Sequence, residues 1–327
     1  MQVFVVKKED SGQTLIKYIM RLLKEAPSGL IHKQLRNKNI TLNDKKALGT
    51  EKLAEEDVIK IFMSDETIEK FKGSIIKSTG EYEDAFGKFG NPLIVYEDEH
   101  VIFANKPVGI LSQKSKPDDV SINEWLIGYL LKKGDITPTG LSKFTPSVCN
   151  RLDRNTGGII LFAKTLFGAN FLNESLKKRT VHKFYTAIVA GGITKPDHLK
   201  GYLLKNEAKN IVSVSETPSD NAEFIETKYK PVRYSAKNNM TELRVELLTG
   251  KAHQIRAHLA SIKHPIIGDS KYGDASVNAK AMGILKLKGQ FLYATELIFD
   301  INDSYPELSG KTFNINISDM SDLFFKD

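Results

Sequence analysis

Residues 149–165 read CNRLDRNTGGIILFAKT and carry the first decision about this chain. Asp153 stands between Arg151 and Arg154, just ahead of a Thr156-Gly157-Gly158 turn and a short apolar run. In an extended segment, residues two apart share a face, so Arg151 and Asp153 would point the same way. A carboxylate beside arginines is favoured in its charged form. At a strand end such a group can act as a nucleophile or a base. Taken alone, the same residues also describe a surface ion pair at a turn.

The densest chemistry lies further on, in TGKAHQIRAHLASIKHPIIGDSKYG, residues 249–273. Lys251, His253, Gln254, Arg256 and His258 fall within eight positions after a strand of alternating apolar residues. Ile255, Leu259 and Ile262 keep helical spacing and should face a core. Polar, anion-seeking side chains at a helix start suit a phosphate or carboxylate partner. Zinc is the competing reading, but His253 and His258 are five apart instead of four, and the chain has a single cysteine, Cys149. No metal site is expected, and His258 and His264 read as structural, each held by a local hydrogen bond.

Two further segments are weaker alone. ANKPVGILSQ, with Lys106, Pro107 and Gly109, has the look of a tight turn between strands. KFYTAIVAG alternates with period two and puts Tyr185 on a strand behind a basic stretch; a strand tyrosine is more often core than site. There is no GxxxxGK[ST] phosphate loop, despite TGK at 249–251, and no GxGxxG, so any chemistry is expected to run without a cofactor.

Outward from these segments, residues 91–327 show strands with a few helices and no regular βα alternation, which argues for an α+β domain. LIVYEDEHVIFANKP reads as two strands around an acidic turn, with helical patterns at 123–131 and 166–177. Residues 1–65 read as a small unit of their own. A strand at 3–6 is followed by Ser11 as helix cap, a helix running up to Pro27, a second helix capped by Ser28, and strands on either side of an Asn43-Asp44-Lys45 turn. Residues 66–90, glycine-bearing and mixed in charge, read as a linker. Lys33, Arg36, Lys38, Lys45 and Lys46 oppose one acid, Asp44, and make a positive face suited to phosphates.

Over 327 residues the net charge of +7 mildly favours a polyanionic partner, and 41% hydrophobic residues supply an ordinary soluble core. No apolar run approaches the roughly 18 residues that span a bilayer, and MQVFVVKKEDSG carries no long apolar stretch, so no signal peptide is expected there. With a lone cysteine, the expectation is a cytoplasmic protein with no membrane partner.

In this order, NKPVGILSQ, NRLDRNTGGIILFAKT, KFYTAIVAG and TGKAHQIRAHLASIKHPIIGDSKYG resemble the pseudouridine synthases of the ribosomal large-subunit (Rlu) type. Residues 12–62, with two helices, a basic edge and the turn TLNDKK, resemble the S4-type RNA-binding domain that accompanies one branch of that family. The resemblance implies a mixed, mostly antiparallel catalytic domain behind a small α/β S4-like domain. It also implies isomerisation of uridines in structured RNA, with large-subunit ribosomal RNA as the usual substrate, by a monomer without a nucleotide cofactor. Asp153 then matches the catalytic aspartate, Tyr185 the tyrosine that stacks on the target base, and Arg256 the arginine paired with the carboxylate. Arg151 matches the arginine that fills the stack left by the flipped uridine. Lys106, Lys251, His253 and Gln254 are candidates for holding substrate, and Lys33, Arg36, Lys38 and Lys45 for gripping RNA from the head. Asn150, Gly157 and Lys251 stand where the family usually has His, Ser and Arg. The competing readings are a non-catalytic RNA-binding or ribosome-assembly factor, which has no need of the Asp153, Tyr185 and Arg256 set, and an RNA glycosidase, which would release free uracil.

Overall fold

The computed structural model describes residues 1–72, 79–206 and 211–326. The N-terminal unit contains β1 (Gln2–Val5), α1 (Leu15–Leu22), α2 (Ser28–Arg36), β2 (Ile40–Leu42), β3 (Lys45–Lys46) and β4 (Val58–Ile61). Its antiparallel sheet runs in the order β1-β4-β2-β3. Leu15 and Ile19 of α1 and Ile31 and Leu35 of α2 are buried four apart, against Ile40, Ile59 and Ile61 of the sheet. The β2–β3 turn puts Asn43 and Asp44 at φ of 50° and 61°, the left-handed pair that lets a two-residue hairpin follow the strand twist. Asn43 Nδ2 donates to Asp57, and its Oδ1 accepts from the Val58 N–H, which ties the turn to β4.

Two expected caps are displaced. Thr14, not Ser11, is the N-cap of α1; Ser11 closes a 3₁₀ turn by donating to the Lys8 carbonyl at 2.8 Å. Gly12, at φ 82°, turns the chain between the two. Ser28 is the first residue of α2 behind Pro27, and its side chain does not cap the helix.

Much of the stretch expected as a linker is helical, in α3 (Asp65–Lys72) and α4 (Gly80–Phe89); its residues 73–78 lie outside the described residues. The helical stripe of α4 is Tyr82, Ala85, Phe86 and Phe89, which packs into the large core, while Gly87 stays on the exposed face. Its neighbour is α5 (Ile122–Lys133), where Gly128 permits the approach: a Cβ there would lie 2.1 Å from the Tyr82 carbonyl oxygen. Trp125 Nε1 donates to the Gly90 carbonyl and fixes the end of α4.

Beyond α4 the elements run β5 (Ile94–Glu97), β6 (Val101–Lys106), α5, α6 (Pro138–Lys143), β7 (Ser147–Val148), β8 (Gly157–Ala163), α7 (Leu166–Lys178), β9 (Val181–Ala190), β10 (Asp197–Asn206) and β11 (Ile211–Ser215). They continue as β12 (Glu223–Ser235), β13 (Met240–Leu247), α8 (Gln254–Ser261), α9 (Ala275–Ile284), β14 (Leu292–Phe299), β15 (Thr312–Asn314) and α10 (Ser318–Ser321). Strands β5 to β15 form a second sheet in the order β11-β10-β12-β13-β9-β14-β8-β6-β5, with β15 on β14 and β7 on β8. Every pairing is antiparallel except β14 with β8. This is the mixed, mostly antiparallel α+β architecture expected.

Both faces of the central strands are covered. Ile102, Ala104, Ile160 and Phe162 point into a core shared with α5 and α8, while Val101, Phe103, Ile159 and Leu161 point into a second core under α7. Burial on both faces is why VIFA and GGIILFA are continuously apolar instead of alternating. At the parallel junction Tyr293 pairs with Gly157 and Ala294 with Gly158. Gly158 takes φ 108°, and a Cβ on it would meet the Ala294 carbonyl oxygen at 2.2 Å.

Gly158→Ala should therefore cost about 3 kcal/mol, the sum of a left-handed backbone and a backbone clash. Denaturant unfolding of the full chain measures it; a change within about 0.5 kcal/mol would mean that the junction relaxes freely.

Candidate active site

Asp153 lies in the loop between β7 and β8, at the end of the strand that joins the two halves of the sheet. The NKPVGILSQ turn is the clasp that holds this loop. Ser112 Oγ donates to the Leu152 carbonyl at 2.8 Å and accepts the Leu152 N–H at 2.9 Å. The Gly109 N–H donates to the Arg154 carbonyl at 2.8 Å, and the Thr156 N–H closes a turn onto the Asp153 carbonyl. Lys106 is fully buried and donates to the carbonyls of Pro107, Ile110 and Arg154. Three acceptors satisfy all three protons of an ammonium. Burial pulls the Lys106 pKa down to about 7, with the Asp153 charge acting in the opposite direction.

The cationic partner of Asp153 comes from α8, not from the loop. Arg256 Nη1 donates to Asp153 Oδ2 at 2.7 Å, across 103 positions of sequence. The other edge of the guanidinium is bidentate on Asp269, with Nε to Oδ2 at 2.7 Å and Nη2 to Oδ1 at 2.8 Å. Arg256 is 5% exposed and Asp269 wholly buried. Burial would lower the Arg256 pKa, but the two carboxylates outweigh it and push it up. For Asp269, burial acts upward; the guanidinium and the backbone N–H groups of Lys271 and Tyr272 prevail and hold its carboxyl below the usual value. The Tyr272 ring lies 5.1 Å from the guanidinium carbon.

The in-line pairing of Arg151 with Asp153 is thus replaced. Arg151 is exposed, and Arg154 lies 4.0 Å from Asp119. The chain turns through the loop instead of extending, so the two-residue rule for a strand does not hold there.

Tyr185, on β9 opposite Ala294, is 4% exposed, and burial followed by the Asp153 charge raises its pKa. His253 precedes α8 at φ 55°, a conformation that costs a residue with a side chain about 1 kcal/mol. Its Nε2 is 3.9 Å from Asp153 Oδ2, and its Nδ1 meets the Tyr272 hydroxyl at 2.9 Å.

Other candidates take supporting positions. Gln254 is 2% exposed: its Nε2 donates to Glu226 O and Thr227, and its Oε1 accepts from Thr249 and the Lys251 N–H. Its amide is committed to pinning the start of α8 to β12 and has no side turned to a ligand. Lys106 likewise braces the loop from behind. Lys251 pairs with Glu223 at the surface. Asn150 accepts the Leu161 N–H at 2.8 Å, so this departure from the family pattern ties the loop to β8. His258 bonds Thr227 through Nδ1, while its Nε2 has no described partner; burial pushes its pKa down to about 4. His264 Nδ1 lies 2.8 Å from the Ala190 carbonyl. Among the described residues no group of three or more His, Cys, Asp or Glu stands together as a metal site. The exposed Lys33, Arg36, Lys38, Lys45 and Lys46 lie apart on α2, its C-terminal turn and the β2–β3 hairpin, with Asp44 paired to Lys60.

Asp269, Tyr272 and Ser112 are the site residues missed from sequence. All three lie inside the motif stretches, but nothing in their local spacing marks them: Asp269 and Tyr272 enter through the return of residues 268–273 to α8, and Ser112 through its bonds to Leu152.

Residues 100–261 match the family model for RNA pseudouridylate synthase. The chain is 31% identical over 326 residues to the ribosomal large subunit pseudouridine synthase C of Haemophilus influenzae, covering 97% of this chain and 91% of that protein. It is 31% identical over 309 residues to the protein of the same name from Rickettsia bellii, covering 92% of each. Among solved structures, human RNA pseudouridylate synthase domain containing 4 shares the fold, with a TM-score of 0.56 at 20% identity, over 75% of this chain and 95% of that one. The chain belongs to the RNA pseudouridylate synthase family. It is an isomerase that converts uridine to pseudouridine in RNA. Among the described residues, no helix is long and apolar enough to cross a membrane.

Asp269→Asn should destabilise the chain by about 3 kcal/mol near neutral pH, because it leaves the buried Arg256 half-paired. The folded pKa of Asp269 is depressed, so its contribution is present above the unfolded carboxylate value, near about 4, and is lost as pH falls from there through the folded value. Urea unfolding between pH 7 and pH 2.5 should show a shallower acid loss for the variant; parallel curves would rule out this linkage.

Proposed function

We propose that the chain modifies uridines of large-subunit ribosomal RNA, with Asp153 as the catalytic carboxylate. The observation that carries this reading is the Asp153–Arg256–Asp269 array at the mouth of the sheet junction. The name of the Haemophilus influenzae relative supplies the RNA class.

Pseudouridine formation breaks the N1–C1′ bond, turns the base and rejoins it through C5, so atoms and oxidation state are conserved. The uracil first leaves the helical stack, at a cost of a few kcal/mol that is smallest in loops and weak pairs. Arg151, exposed at the loop, fills the vacated space, and Tyr185 stacks on the flipped base. Asp153 promotes glycosidic cleavage by adding to the nucleotide or by taking a sugar proton. Arg256 aims its carboxylate through a bond already made before substrate arrives, the preorganisation on which electrostatic catalysis depends. The N-terminal unit acts as an S4-like grip. Lys33, Arg36, Lys38 and Lys45 contact phosphates and set register without reading bases. The protein works as a monomer in the cytosol, where this substrate is made.

Two measurements test the reading. Asp153→Ala should lower pseudouridine formation on a large-subunit transcript at least about 10³-fold while leaving RNA affinity within about twofold. Equal conversion by both proteins would remove Asp153 from the chemistry, and equal binding with no conversion by either would favour a binding factor. Replacing Lys33, Arg36, Lys38 and Lys45 by Ala should weaken RNA binding and flatten its dependence on log salt by about 0.7–0.9 for each phosphate no longer neutralised. An unchanged slope would take the head off the RNA.

A further inference from the structure

Beside Asp153 stands a pair of side chains for which the mechanism above has no task. Tyr272 and His253 meet through the phenol oxygen and Nδ1, 2.9 Å apart, with their rings edge-on at 78°. The same phenol oxygen accepts the Val212 N–H of β11 at 2.8 Å. A backbone N–H can only donate, so the phenol accepts there and keeps its single proton for a further partner; His253 Nδ1 is the atom in reach, and it accepts that proton when its own proton is on Nε2.

The groups facing His253 are Asp153, Arg256, Lys271, Asp269 and Tyr272. Burial lowers its pKa first; Asp153 pulls the other way, and Arg256 and Lys271 add to the lowering, so the ring is neutral at neutral pH. A neutral imidazole that accepts at Nδ1 carries its proton on Nε2. That N–H faces Asp153 Oδ2, the oxygen already held by Arg256. Among the described residues no donor meets Oδ1.

We propose that Tyr272 and His253 form a positioning relay for the catalytic carboxylate. The Tyr272 hydroxyl, anchored by Val212, fixes the Nε2–H tautomer of His253, and that N–H closes on Asp153 Oδ2 when RNA is bound. Oδ2 is then saturated by two donors, and Oδ1 is the oxygen presented to the flipped nucleotide. The gap of 3.9 Å closes by about 1 Å, a tightening expected when substrate completes a site. The left-handed backbone at His253, φ 55°, is what aims its ring at both partners. Because the anchor is on β11, seating of the β10–β11 hairpin is coupled to the carboxylate. The inference rests on Asp153 being the catalytic group.

Two readouts on the full chain decide it. Long-range proton–nitrogen NMR of the histidine rings, with His253 assigned by its absence in His253→Gln, should give the Nε2–H tautomer in wild type and lose it in Tyr272→Phe. The Nδ1–H tautomer in wild type, or no change in Tyr272→Phe, overturns the relay whatever the activity. In turnover assays, His253→Ala should lower kcat about tenfold with KM within about twofold, and His253→Gln, which restores an N–H near the Nε2 position, should regain most of the loss. Tyr272→Phe should move the acid limb of kcat to higher pH, because a bond that favours the neutral ring is gone. A loss confined to KM, or a Gln variant as slow as Ala, also overturns it, whereas a wild-type chain that converts no uridine defeats the proposed function and leaves the tautomer to judge the relay.

Discussion

A guanidinium taken out of water must keep its counter-charge within hydrogen-bond reach, and Arg256 does so with two carboxylates at once. Asp269 is wholly buried and bidentate, and it holds the planar group still. Asp153 is partly open and takes the remaining edge. Remove the inner carboxylate and the arginine loses the geometry with which it aims the outer one. The Asp153 carboxylate is thus oriented by a partner that is itself oriented from behind, and neither step waits for substrate.

The sheet junction makes that arrangement possible. β8 and β14 meet in the one parallel pairing between strands among the described residues, at glycines that allow backbone to lie against backbone. The loop bearing Asp153 leads into this junction, and α8 packs on the same face through Ile255 and Leu259. Cores on both faces of β6 and β8 leave the strands little room to shift, so the loop end is carried on rigid elements.

Within the motifs, holding and acting are different tasks. Lys106, Ser112, Asn150 and Gln254 spend their hydrogen bonds on backbone or on neighbouring side chains, and through them fix the loop and the start of α8. Arg256 and His253 converge on the Asp153 carboxylate. A residue type that seeks anions, such as Lys106, can equally serve as a buried donor to carbonyls.

Alternation and helical spacing by themselves determined strands β5, β6, β8, β9 and β13, helices α5, α7 and α8, and most elements of the small head, because local periodicity reports which side of an element is buried. Helix α4 was read as linker, because its glycines and charges masked the stripe of Tyr82, Ala85, Phe86 and Phe89. The motifs singled out Asp153, Tyr185 and Arg256. Local spacing offered Arg151 as the partner of Asp153; the family resemblance named Arg256, and the tertiary structure brings that arginine to Asp153 across 103 positions. Asp269 and Tyr272 entered the site the same way, through the return of the chain beneath α8. Such contacts leave no period in the sequence, since they depend on where the ends of two elements are brought together and not on the pattern along either one.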